Sequence, residues 1–433
     1  MGKFIIEGGR PLNGTITASG NKNAALKLLP ACLLTDEPVI LHNIPDIQDV
    51  RSTLVILRDL GAEVTDLGGG SWRIHAQNIT KTEIPPELAS RTRASFVFSG
   101  PMLARLGRVT LPLPGGDVIG GRPLDTHIQA LEALGVSVEM KTRGMFEMNA
   151  DPLRGGGYVL LAEASVTATE NSVMAAVLAK GETIIDNAAS EPHVRDLCQF
   201  LNQLGAKIEG MGTNRLRIQG VDRLHGGEYR IGADFMEVGS FIGAAVVTGG
   251  EVRIQNADPQ DLAMIRLVYK KLGVEWEVEG NDILVPADQS MTIEPALGGR
   301  ILEIKPMPWP GFPPDLMSIA LMIATQGDGS VLLHDWMYES RFFFVDNLAF
   351  MGARLVLCDP HRVLVQGGNG LHANPHGVPS PDIRAGMAMV LAALCAKGTS
   401  TIHNIQQIDR GYERIDEKLR SLGAQIERVE DDW

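Results

Sequence analysis

One phrase returns along the chain at a near-constant interval: LGAEV at 60–64, LGVSV at 134–138, LGAKI at 204–208, LGVEW at 272–276, MGARL at 351–355 and LGAQI at 422–426. A period of roughly 70 residues means a repeat architecture, and it limits the fold more than any other feature here. Each phrase follows an amphipathic helical pattern, as in VRSTLVILRDL or IDEKLRSL. Its glycine suits the position just past a helix end, where φ is often positive. Strand-like alternation comes next: AEVTDL, a GGG turn, then SWRIHA.

A second pattern is interleaved with the first. Small-residue, apolar helices (NAALKLLPACLL, NSVMAAVLAKG, SFIGAAVVTGG, MAMVLAALCAKG) run into the short strands PVILHNI, ETIIDNA, EVRIQNA and STIHNI. Helices apolar on most sides must be buried. The sheets are therefore expected outside and these helices inside. Each unit reads strand–helix–strand–helix–strand–strand, and six units divide into two lobes of three. The opening strand KFIIEGG has no partner in the first unit. The N-terminus is thus expected to complete the last unit. This places the first lobe at 22–232 and the second at 1–21 plus 233–433, with two chain crossings. A cleft between similar lobes is a usual ligand site, and two crossings make a hinge.

Bulk properties narrow the partners. The chain has 433 residues, 44% hydrophobic and 21% charged, with a net charge of -13. An acidic balance argues against nucleic-acid or anionic-membrane binding, since both need a basic face. It leaves room for a small anionic substrate held by a local cluster of Arg and Lys. Cys32, Cys198, Cys358 and Cys395 are far apart and form no CxxC, so reduced, mostly buried thiols in a cytoplasmic protein are expected. No apolar run is long enough to span a bilayer, and the N-terminus lacks a signal-peptide pattern. No P-loop, GxSxG elbow or dinucleotide fingerprint is present. His372 and His376 in HANPH read as loop histidines rather than metal ligands. Neither a cofactor nor a metal is expected.

Several polar residues stand at junctions between elements. Lys22 and Asn23 open a buried helix, a ready anion site. Arg93 and Arg384 stand at the starts of apolar helices, Arg341 lies between apolar residues in YESRFFFV, Arg122 sits in the Gly/Pro loop and Arg410 in QIDRGYERI, each at a junction between repeat elements. One such arginine reads as an ion-pair partner; five suggest a shared anionic ligand. Asp315, behind two prolines, reads either as a helix N-cap or as a functional acid. Asp117 lies at the tip of PLPGGDVIGGRPLDTHI, residues 112–128, a loop rich in Gly and Pro. Alone it reads as a solvated turn residue.

Together ASGNKNAAL, LPGGDVIGGRPLDTH, FPPDLMS, ESRFFFV and IDRGYERIDEKLRSLGAQIERV resemble the signatures of UDP-N-acetylglucosamine enolpyruvyl transferases, also called 1-carboxyvinyltransferases. The resemblance runs in order over essentially the whole chain. It implies a two-domain inside-out α/β barrel of six βαβαββ repeats, three per domain. It implies transfer of the enolpyruvyl group of phosphoenolpyruvate (PEP) to the 3-hydroxyl of the sugar nucleotide, with loss of phosphate. This is the first committed step of peptidoglycan precursor synthesis.

By the same resemblance, Lys22, Arg122 and Arg410 hold the PEP phosphate, and Arg341 with Arg410 its carboxylate. Asn23 touches the sugar. Arg93 and the run Arg122, Pro123, Leu124, Asp125 and Thr126 line the nucleotide, with Met337 and Arg384 as further substrate contacts. Ser165 and Val166 offer backbone groups to the diphosphate. Asp315 corresponds to the base that takes the hydroxyl proton. Asp117 stands where most members carry Cys, the acid that protonates the PEP methylene and the site alkylated by fosfomycin. The sequence departs from the usual pattern around Glu163, near which a Lys is usual, and at Thr167 (Gly), Phe235 (Arg) and Pro314 (Thr). These changes leave open a different nucleoside or sugar acceptor, or a non-catalytic binding paralogue.

Overall fold

The computed structural model describes residues 2–115, 121, 123–141, 144–150, 153, 155, 157–374 and 376–430. These residues fall into two compact units. One is drawn mainly from residues 20–115 and 123–232, the other mainly from 2–19 and 233–430.

Six apolar helices, three per unit, carry the fold: α1 (Lys22–Ala31), α2 (Ser99–Leu106), α3 (Val166–Ala176), α4 (Phe235–Thr248), α5 (Met317–Gln326) and α6 (Ile383–Cys395). In α6 every residue from Ile383 to Leu394 is buried. A helix with no polar face has nowhere stable except inside a core. In the second unit α4, α5 and α6 pack directly on one another. Two glycines of α4 permit this approach. A Cβ on Gly243 would come within 2.7 Å of Ile319 Cγ2 and 3.2 Å of Leu391 Cδ2. Gly239 meets Leu316 in the same way.

Small sheets cover the helices, and five of the six among the described residues repeat one plan; in the sixth, Arg108–Pro112 has its hairpin but only an isolated parallel bridge, Thr110 to Glu83. The strand after a core helix is flanked by a parallel edge strand on one side and an antiparallel hairpin on the other. In the first unit Val39–His42 lies between Gly227–Arg230, parallel, and Ser71–His75, which pairs in turn with Glu63–Gly68. In the second unit Ser330–His334 lies between Leu302–Ile304 and the hairpin Arg354–Asp359/Arg362–Gln366. The last sheet draws one hairpin strand from the start of the chain. Lys3–Glu7 pairs antiparallel with both Thr399–His403 and Gln425–Val429.

The recurring phrase has a conformational cause. Gly61, Gly135, Gly205, Gly273, Gly352 and Gly423 all have positive φ, between 82° and 108°. Each ends the amphipathic helix of its repeat in the left-handed region, which costs glycine little and other residues more.

The α4 approach is open to a direct check. Gly243→Val should destabilise the protein by about 2 kcal/mol, the cost of overpacking a tight helix contact. Urea unfolding measures it; an unchanged midpoint would show that the helices have room to part.

Candidate active site

In the second unit the site is built around Asp315. The turn Pro314–Leu316 leads into α5 and presents its carboxylate. The N-cap position of α5 falls to Leu316, whose side chain makes no cap bond. Two guanidinium groups engage the Asp315 carboxylate. Arg341 Nη2 donates to Asp315 Oδ1 at 3.2 Å, and Arg384 Nε donates to Oδ2 at 3.1 Å. Both arginines are buried, while the Asp315 side chain keeps 31% of its surface. The acid is thus the solvent-facing member of the cluster.

Local structure explains why these arginines can be buried. Arg384 lies in the first turn of α6, whose N-cap is Asp382. Asp382 Oδ1 accepts from the backbone N–H groups of Arg384 and Ala385 at 2.8 and 2.9 Å. The Arg384 guanidinium stacks 5.2 Å from the Tyr412 ring centre, and the Tyr412 hydroxyl lies 2.8 Å from Ser240 Oγ. Arg341 sits 5.1 Å from the centre of the Tyr338 ring and 3.5 Å from the carboxylate of Asp335. Burial by itself would lower the pKa of Arg341; Asp315, Asp382 and Asp335 outweigh it and raise it, so the cation persists. Arg384 Nη1 is buried with no hydrogen-bond acceptor, whereas Arg341 Nε has the Asp335 carboxylate as its ion-pair partner. An orphaned cationic donor such as Arg384 Nη1 suits an anionic ligand.

The first unit brings together a different group. Lys22 begins α1, and Asn21 caps it, with Oδ1 accepting from the N–H of Ala24 at 3.0 Å. Lys22 is buried and lies 3.0 Å from the buried carboxylate of Asp49. Ser165 caps α3, its hydroxyl accepting from Ala168 N–H at 3.4 Å. Arg93, half-buried, opens the 3-10 turn Arg93–Phe98 behind its cap Thr92. The helix Asp125–Ala133 is tied to the start of α3 twice. Thr126 Oγ1 donates to Glu163 Oε1 at 3.4 Å, and His127 Nε2 lies 2.9 Å from Thr167 Oγ1.

His127 belongs to a buried polar network. Asn171 Nδ2 donates to His127 Nδ1 at 3.1 Å, and to Ser99 Oγ at 2.8 Å. With Nδ1 accepting, the proton sits on Nε2 and is donated to Thr167. Burial, with the Arg93 charge nearby, lowers the His127 pKa to about 3, so the ring is neutral.

Comparisons with known proteins decide the family. A family profile described as EPSP synthase (3-phosphoshikimate 1-carboxyvinyltransferase) matches residues 6–419. The UDP-N-acetylglucosamine 1-carboxyvinyltransferase of Treponema denticola is 52% identical over 430 residues, covering 99% of this chain and 100% of that protein. The proteins of the same name from Treponema pallidum and Bradyrhizobium diazoefficiens are each 51% identical, covering 98% and 99% of this chain and 99% and 98% of their own lengths. The chain belongs to the UDP-N-acetylglucosamine 1-carboxyvinyltransferase family. Among solved structures, the enolpyruvyl transferase NikO from Streptomyces tendae aligns with a TM-score of 0.87 at 22% identity, over 100% of this chain and 99% of that one. EPSP synthase from Acinetobacter baumannii aligns at 0.75 and 17%, over 99% and 100%. Those two likenesses establish the enolpyruvyl transferase fold.

Against that family pattern, Asp315, Arg341 and Arg384 form one cluster in the structure. Met337, half-buried on the turn before Arg341, donates its N–H to Asp335. Arg410 follows the short helix Gln406–Asp409 and donates to Gln407 Oε1 at 3.0 Å. Asn23 is half-buried on α1; Leu124 and Thr126 are buried, and Pro123 and Asp125 exposed. Val166 is half-buried in the first turn of α3. Asp117 and Arg122 lie outside the described residues.

Three carboxylates escaped the sequence reading: Asp49, Asp335 and Asp382. Each stands in a segment that reads as an ordinary helix start or strand end. Only burial beside Lys22, Arg341 or Arg384 marks them out. Phe235 is a packing residue, buried at the start of α4 with its ring 5.6 Å from Trp309. Among the cysteines, Cys32 and Cys198 are buried and Cys395 half-buried; Cys358 is the exception, exposed on an edge strand with an irregular register.

The His127 network sets a pH dependence. The histidine has a folded pKa of about 3 against an ordinary 6.5. On acidification the unfolded chain takes up this proton first. The stabilisation is complete above about pH 6.5 and is lost as pH falls toward 3. The stability advantage of wild type over His127→Gln should therefore shrink by ~1.4 kcal/mol per pH unit below about pH 6. A difference that stays constant from neutral to acidic pH would contradict the neutral, buried histidine.

Proposed function

We propose that this protein transfers the enolpyruvyl group of PEP to the 3-hydroxyl of UDP-N-acetylglucosamine and releases phosphate, the first committed step of peptidoglycan precursor synthesis in the cytoplasm. The observation that carries the reading is Asp315, a part-exposed carboxylate held by two buried guanidiniums. Full-length identity to proteins of that name supports it.

The chemistry follows from charge. Both substrates are strongly anionic, and fixed positive charge in a dry site lets them approach one another. In the proposed assignment Lys22, Arg122 and Arg410 hold the phosphate, and Arg341 with Arg410 the carboxylate. Asn23, Arg93, Thr126, Ser165, Val166 and Met337 serve the sugar nucleotide. Two ion pairs orient Asp315, leaving its outer face to accept the hydroxyl proton as that oxygen bonds to the central carbon of PEP. Asp117 is the proposed acid that delivers a proton to the methylene. Loss of that carbon's phosphate together with a methyl proton restores the double bond.

Asp117 brings a difficulty with it. An ordinary aspartate, pKa about 3.9, is ionised at neutral pH. It serves as an acid only where desolvation or neighbouring anions raise its pKa, and bound PEP supplies the second. A carboxylate also lacks the soft sulfur that fosfomycin alkylates.

A second reading keeps the reaction and changes the acceptor. Glu163 is an exposed acid beside Ser165, the expected diphosphate contact, and Thr126 is hydrogen-bonded to it. A carboxylate there is unfavourable for a diphosphate. A panel of nucleotide sugars separates the two readings.

Phosphate release from PEP should require UDP-N-acetylglucosamine; sugar-independent release, or none, would count against the acceptor. Asp315→Asn should lower kcat by about 10^3-fold while sugar-nucleotide binding survives, the scale of general-base loss. Fosfomycin should leave the intact mass unchanged, and Asp117→Cys should gain an adduct. An adduct on the native protein would overturn the expected resistance.

A further inference from the structure

Asp335 lies just past the strand Ser330–His334 and is fully buried. Nothing in the reaction assigned above uses it. A buried carboxylate is costly unless paired, and this one is engaged through both oxygens. Its Oδ1 accepts from the N–H groups of Met337 and Tyr338, each at 3.0 Å. Its Oδ2 makes no hydrogen bond but faces Arg341 Nε at 3.5 Å. Its backbone is clamped too. The Asp335 N–H donates to the His361 carbonyl at 2.8 Å, and its own carbonyl accepts from His361 Nδ1 at 2.7 Å.

The result is a bracket with two arms. One arm closes the turn that carries Met337 and Tyr338. The other fixes the Nε edge of Arg341, whose face lies over Tyr338 and whose Nη2 reaches Asp315. A guanidinium held on these sides has little freedom to rotate. Without the Asp335 charge, Arg341 keeps Asp315 as its counter-ion here and is drawn toward it, away from any carboxylate it must bind.

We propose that Asp335 is a positioning residue that aims Arg341 at the PEP carboxylate and holds the Met337 turn in place; this rests on the proposed enolpyruvyl transfer. Asp335→Asn separates the two arms. The amide oxygen still accepts from Met337 and Tyr338, while the charge facing Arg341 is gone. The KM for PEP should rise about 10-fold and kcat fall, with the KM for the sugar nucleotide within about 2-fold. Asp335→Ala breaks both arms, so both KM values should rise. A purely structural role would lower Tm and move both KM values together in Asp335→Asn. A mere electrostatic role would tighten PEP, because a negative charge near an anion site is removed. Either of these results, or an unchanged KM for PEP, overturns the proposal.

His361→Ala loosens the backbone clamp without touching the charge. It should raise the KM for PEP about 3-fold, and it carries the test if Asp335→Asn does not fold; an unmoved KM is then fatal to the proposal. Direct calorimetry of PEP binding separates this inference from its parent reading. If wild type binds PEP but releases no phosphate, enolpyruvyl transfer falls, and about 10-fold weaker binding by Asp335→Asn still supports the bracket. If wild type does not bind PEP, both fall.

Discussion

A helix such as Ile383–Cys395 has no polar side to offer water, and much of the architecture follows from hiding six of these. One repeat cannot enclose its own apolar helix, because a small sheet covers a single face. Three helices packed together enclose one another, and three sheets close the outside. Gly239 and Gly243 show how close that packing is. The last sheet needs a strand from the start of the chain, so folding of the second unit joins residues far apart in sequence.

The same constraint places the chemistry. An apolar helix can carry charge only at its ends, where unsatisfied backbone groups and caps accept it. Lys22, Ser165, Asp315 and Arg384 all occupy such starts. Burial makes pairing compulsory: Lys22 has Asp49, and Arg341 has Asp315 and Asp335. Among these carboxylates Asp315 is the one left open to solvent, which is what a proton-accepting group requires. The buried acids orient cations; the exposed acid has chemistry available to it.

The cost of this arrangement appears as polar atoms held where water cannot reach. The His127–Asn171–Ser99 network lies beside the Thr126–Glu163 and His127–Thr167 contacts and is built of hydrogen bonds in place of apolar contacts. It fixes one histidine tautomer and ties two elements expected to flank the nucleotide. Thr167 is part of this network rather than a bare substitution. Glu163 likewise has a partner in Thr126. The two departures from the family pattern are thus coupled to one neighbouring helix.

The repeat, the apolar helices and the glycines that end the amphipathic helices were legible in the sequence because they rest on local rules: hydrophobic period, helix termination and positive φ. So were Lys22, Asp315, Arg341 and Arg384, since a charge inside an apolar string stands out. Asp49, Asp335 and Asp382 did not stand out, because an acid at a helix start or strand end is commonplace. What distinguishes them is burial against a particular cation, and burial depends on which distant segments pack together. The exposure of Cys358 and the packing role of Phe235 were decided at that level too. Local sequence sets which groups can bear charge; tertiary packing decides which are dry, which are paired and which remain free to react.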